Sequence, residues 1–167
     1  MSRELIIASW CVAGVAAFLG RALGALAPIA AEIFDAGALT GLQWMLLVAW
    51  VTLNAYAEGY RGFHRSFSPR VVERAFHLGR NPSPMRVLLG APYSMGLFDA
   101  PRRIVVTSWL LLLGIVLLVI WVRRLAQPWR GIVDAGVVVG LGLGLLSILL
   151  LFVRRAAKRW SGPARGE

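Results

Sequence analysis

Four apolar runs order the chain. The first goes from residue 5 towards residue 31 and holds one cation, Arg21. The second, 36–57, is uncharged. The third, 104–122, and the fourth, 135–153, are also uncharged, the last starting beside Asp134. Each is long enough for a helix to cross about 30 Å of hydrocarbon at about 1.5 Å per residue. Backbone groups in lipid must be satisfied within the segment, so the runs read as helices rather than strands. The pattern predicts spans near 5–27, 39–59, 103–123 and 132–155, with Pro28 stopping the first.

The stretch between the second and third runs, 60–102, is too long for a simple connector. Ser68 and Pro69 predict a helix start, and Gly79 its stop. Val71, Val72, Ala75, Phe76 and Leu78 form its apolar side; Arg70, Glu73, Arg74 and His77 form its polar side. Ser83-Pro84 predicts a second start, with Asn81-Pro82 as the turn between them. Two short amphipathic helices lying at the membrane interface are the expectation. Gly59 and Gly62 predict a bend where the vertical helix meets this segment.

Composition agrees with the pattern. Of 167 residues, 58% are hydrophobic and 16% charged. Soluble domains have about a quarter charged, so a water-soluble enzyme, a disordered tail and a disulfide-rich module are excluded. Cys11 is the only cysteine, which leaves no intramolecular disulfide; it reads as a buried structural thiol.

Charge sets the orientation. There are 18 basic and 8 acidic residues, a net of +10. Fourteen of the basic residues fall at the amino end, in 60–103 or in the tail that includes Arg154, Lys158 and Arg165. Four, Arg21, Arg123, Arg124 and Arg130, fall to the other side. The positive-inside rule then puts both termini in the cytoplasm of a bacterial inner membrane. The fold expected is all-α, one membrane domain over 1–167: a four-helix bundle with short interfacial helices between spans two and three. The basic surplus, lying between apolar runs, points to lipid rather than nucleic acid.

Candidate chemistry is sparse. Gly136, Gly140 and Gly144 form a tandem GxxxG on the fourth run, and Gly20 and Gly24 a looser version on the first. Such faces let helices approach closely, within one bundle or between copies. Thr40, Gln43, Asn54 and Glu58 lie within about 60° on the second run, a polar line for interhelical bonding or for an ion or ligand path, with Glu58 at the cytoplasmic edge pairing with an arginine. Arg61, Arg65, Arg70, Arg74 and Arg86 are the candidates for anionic headgroup contact. Neither His64 nor His77 lies in a run, so haem within the bundle is not expected; no metal set or phosphate loop stands out, and no cofactor is predicted.

Three readings fit these features. The first is a non-enzymatic membrane subunit or scaffold that self-associates or packs into a larger complex. The second is a small transporter or channel along Gln43, Asn54 and Glu58. The third is a protein that binds or acts on an anionic lipid at the basic segment.

Overall fold

The computed structural model describes residues 2–35 and 39–160, apart from the side chains of Asp35 and Trp160. The expectations touching residues 36–38 and Arg165 lie outside the described residues. The chain is all-helical, and no strand occurs among the described residues. Three helices are long and apolar enough to cross a membrane: α1 (Arg3–Asp35), α6 (Arg102–Val122) and α7 (Trp129–Trp160).

The second apolar run is the departure. Its α-helix, α2, covers Gly41–Asn54, 14 residues or about 21 Å. Thr40 caps it in a capping box, accepting from the Gln43 backbone N–H at 3.4 Å while the Gln43 side chain accepts from the Thr40 N–H at 2.9 Å. The helix then continues without a break as a π-helix, Ala55–Phe67, and passes directly into α3 (Ser68–Arg80). The bend expected at Gly59 and Gly62 is therefore replaced by continued winding. Ser68 caps nothing: its backbone is helical, and its buried hydroxyl has no partner. Pro28 likewise ends nothing and lies inside α1, so the first helix runs on past the expected end at residue 27, to Asp35.

Ser83 does open α4 (Pro84–Leu88), and α5 (Gly90–Met95) comes next, closed by Gly96 at φ 81°. A side chain at that φ is strained, so glycine suits the stop.

The main core explains the arrangement. Ile7, Ala8, Cys11, Val12, Val15 and Leu19 of α1 pack with Val71, Val72, Ala75, Phe76 and Leu78 of α3, with Tyr93, and with Leu141 and Ile148 of α7. The amphipathic face of α3 is thus buried in protein. Close approaches fit α3–α5 to α1: a Cβ on Gly79 would meet the Glu4 carbonyl oxygen at 2.5 Å, and one on Gly90 the Cys11 sulfur at 2.7 Å. Glu4 ties the ends together through ion pairs to Arg80, at 3.8 Å, and to Arg159. A smaller cluster, Ile33, Leu47 and Ile132, joins α1, α2 and α7 at the opposite end.

Helix α6 stands apart. Only 6% of its most apolar stretch is buried, against 33% for α1 and α7. Its ties are at its start, where the Ser108 hydroxyl donates to the Met95 carbonyl at 3.0 Å and the Trp109 indole N–H to the Leu97 carbonyl at 3.0 Å, and at Val122, which is buried. The predicted bundle is thus three tightly packed helical columns with α6 beside them.

Candidate functional site

The π-helix meets the glycine face of α7. Long π-helices are rare, and the short ones that occur concentrate at functional sites; this one has 13 residues. The fit is reciprocal. Cβ atoms added to α7 would meet Trp50 at 2.5 Å from Gly136, Glu58 Oε2 at 3.1 Å from Gly140, and the Phe63 ring at 2.5 Å from Gly144. A Cβ on Gly59 of the π-helix would meet Leu143 at 2.7 Å. The tandem GxxxG is therefore filled from within the chain by α2 and the π-helix. Gly20 and Gly24 have nothing within 4 Å of a Cβ position.

These contacts fix depth along α7. The Trp50 indole donates to the Val133 carbonyl at 3.2 Å. Asn54 lies at Gly136, Glu58 at Gly140 and Phe63 at Gly144. His64 Nδ1 is 2.7 Å from the Ser147 hydroxyl. The polar π-helix thus runs beside the uncharged stretch 135–153. Gly140, and Glu58 with it, sits fourteen residues, about 21 Å, from Arg154 and six residues, about 9 Å, from Asp134. Glu58 thus lies beside the uncharged stretch of α7.

The expected polar line does not form as a line. The Gln43 side chain is used in its own cap. The buried Asn54 amide donates to the Trp50 carbonyl one turn back, at 2.9 Å. Glu58 makes no ion pair among the described residues, against the expected arginine partner. The polar groups that face α7 are Asn54, Glu58 and His64. Ser147 was not singled out in advance, although it is the single polar residue within 135–153, and that was its signal. The rings of Tyr56, Tyr60 and His64 stack along the π-helix, with centroids 6.1 and 5.8 Å apart. The Arg65 guanidinium lies 5.9 Å from the Tyr60 centroid.

The basic residues divide. Arg61 and Arg65 are exposed on the π-helix. Arg74 instead turns inward: it donates to the carbonyls of Tyr93 at 2.8 Å, Phe98 at 3.2 Å and Asp99 at 3.1 Å, and stacks 4.1 Å from the Tyr93 ring centroid. Arg86 pairs with Asp99 at 2.7 Å. Arg70 is half-buried with its Nε unpartnered; burial, and behind it the charge of Arg74, lowers its pKa from the ordinary guanidinium value. Of the five arginines expected at headgroups, Arg74 thus holds the 83–100 segment to α3, and Arg86 closes that segment on itself through Asp99. The planar fork of Arg74 reaches three carbonyls at once, a task a single ammonium point charge cannot perform. Arg74→Met is expected to lower stability by about 2–3 kcal/mol, read as a lower unfolding temperature in detergent, with Arg74→Lys recovering only part.

An open cavity of about 380 Å³ lies over these residues, lined by Glu73, Arg74, His77, Arg86, Tyr93 and Asp99. Asp99 has φ 52°, a left-handed conformation that aspartate tolerates better than most residues. Tyr93 Oη is 3.4 Å from His77 Nδ1. No group of three or more histidine, cysteine or carboxylate side chains converges as a metal site among the described residues. Compared with protein-family models, with curated proteins and with solved structures, the chain matches none of them.

Proposed function

We propose that the chain is a non-enzymatic integral membrane subunit that works by assembling with copies of itself or within a larger membrane complex. In this reading α1, α2, α6 and α7 all cross a bacterial inner membrane, and both termini are cytoplasmic. The observation that carries the reading is the separation of α6. A helix tied down at its start and at Val122 exposes Val106, Leu110, Leu113, Leu117 and Ile120 along its length. Transmembrane helices associate by van der Waals packing of such surfaces. Because the α7 glycines are already covered, α6 and the exposed face of α2, with Leu42, Met45 and Leu53, are the surfaces left for a partner. Anionic lipid is the other expected company, at the exposed Arg102, Arg103, Arg154 and Lys158.

Native mass spectrometry of the full chain from nanodiscs tests this. A defined oligomer or a stable heteromeric complex is expected. Cysteine placed at Leu117 in a Cys11→Ser background is then expected to cross-link between subunits. A monomer carrying only lipid, with no cross-link, would overturn the reading.

A further inference from the structure

The outer side of the π-helix carries charge where α7 beside it carries none. Glu58, Arg61 and Arg65 are exposed on it. Its inner side packs on α7 from Gly140, at Glu58, to Ser147, at His64. At that level α7 turns Leu143 and Leu146 outward, 40% and 53% exposed, and the whole stretch 135–153 is uncharged. Lipid suits those leucines but cannot satisfy the three charges next to them.

The chain does not answer these charges itself. Glu58 and Arg61 make no ion pair among the described residues, and Arg65 lies over the Tyr60 ring, 5.9 Å from its centroid. The same side presents Tyr56 and Tyr60, 62% and 48% exposed. Tyrosine and arginine are the residues that most often anchor contacts between proteins. The surface is low at Ala57 and Gly62, both exposed: a Cβ on Gly62 would meet only the Ala57 carbonyl oxygen, at 3.3 Å. A second helix has room to approach there. Towards its start the π-helix continues the exposed face of α2 at Leu53.

We propose that this side of the π-helix is a contact between two copies of the chain, with Glu58 of each copy paired to Arg61 of the other. The charges make the surface self-complementary. Copies inserted the same way in a membrane are related by an axis along its normal, which sets each residue at the depth of its equivalent. Glu58 and Arg61 are three residues apart on the π-helix, less than one of its turns, so an arginine side chain covers the offset. One contact then forms two equivalent pairs, and Arg65 keeps its place over Tyr60. The inference rests on the assembly reading and adds to it a polar contact besides the apolar surface of α6.

Charge exchange in the full chain, read by native mass spectrometry from nanodiscs, tests the pairing. Glu58→Arg and Arg61→Glu each set like charges against each other and are expected to weaken the dimer by about tenfold or more. The two combined exchange the charges and are expected to restore it to within about threefold of wild type. Ala57→Cys in a Cys11→Ser background changes no charge, and a short bismaleimide is expected to join two copies there; this cross-link decides where a charge variant does not fold. A dimer indifferent to both single variants, a combined variant as weak as the single ones, or no cross-link at Ala57 except to another protein overturns the proposal. The assembly reading survives any of these if Leu117 still cross-links between subunits. A wild-type chain that is monomeric overturns both.

Discussion

Phe76→Ala is expected to destabilise the protein by about 3–5 kcal/mol, the range for emptying a fully buried aromatic site. Phe76 has no exposure at all. It sits where α1, α3 and α7 meet, 5.7 Å from the Phe152 ring centroid. The Arg155 and Arg159 guanidiniums lie 5.4 and 5.3 Å from its own centroid. Alanine removes the ring contact and both cation–π contacts, and leaves a cavity between helices that other contacts hold in place. Arg159 also pairs with Glu4, so the start of α1 is expected to loosen too. Denaturant titration in detergent micelles, with hydrogen exchange on 3–19 as a local readout, checks this. A loss below about 1 kcal/mol would mean that α3 docks weakly and that its buried apolar face does not hold the helix down.

Gly144→Leu is the second large expected effect, about 3 kcal/mol or more from overpacking. The added Cβ would lie 2.5 Å from the Phe63 ring. That ring cannot swing aside freely, because it packs edge-on against Phe67 at 5.3 Å. The helices must separate along the seam, taking Glu58 and His64 away from α7. Gly142→Leu is the matched control: it has nothing within 4 Å of its Cβ position, and the same side chain there is expected to be nearly neutral. The pair is compared by thermal unfolding at several protein concentrations. A loss at Gly144 independent of concentration marks a contact within one chain, and a concentration-dependent loss marks one between chains.

The same seam shows where reading along the chain works and where it stops. Glycines four residues apart announce a close helix approach, and the approach is there. Periodicity cannot say which helix fills the groove, because GxxxG describes one face and carries no information about the other. The π-helix was illegible for a different reason. Helical periodicity assumes one winding; once the winding changes at Ala55, spacing alone no longer says which of residues 55–67 share the face of Asn54. The basic segment misled through composition. Arg70, Arg74 and Arg86 look alike in a charge count, yet Arg74 meets three carbonyls brought to it when the 83–100 segment folds back on α3, and Arg86 meets Asp99 within that segment.

Apolar length and the arginines that punctuate it were enough to establish a helical membrane protein, the extents of α6 and most of α7, the start at Ser83 and the apolar face of α3. These are local or periodic properties, written into a few consecutive turns of chain. The packing of α3 under α1 and α7, the standing apart of α6, and the placing of Glu58 beside Gly140 depend on contacts between residues up to 155 positions apart, as in the pair of Glu4 with Arg159. Such contacts are chosen by the fit of whole faces, where one missing Cβ admits a carboxylate, and no single stretch of sequence carries that fit.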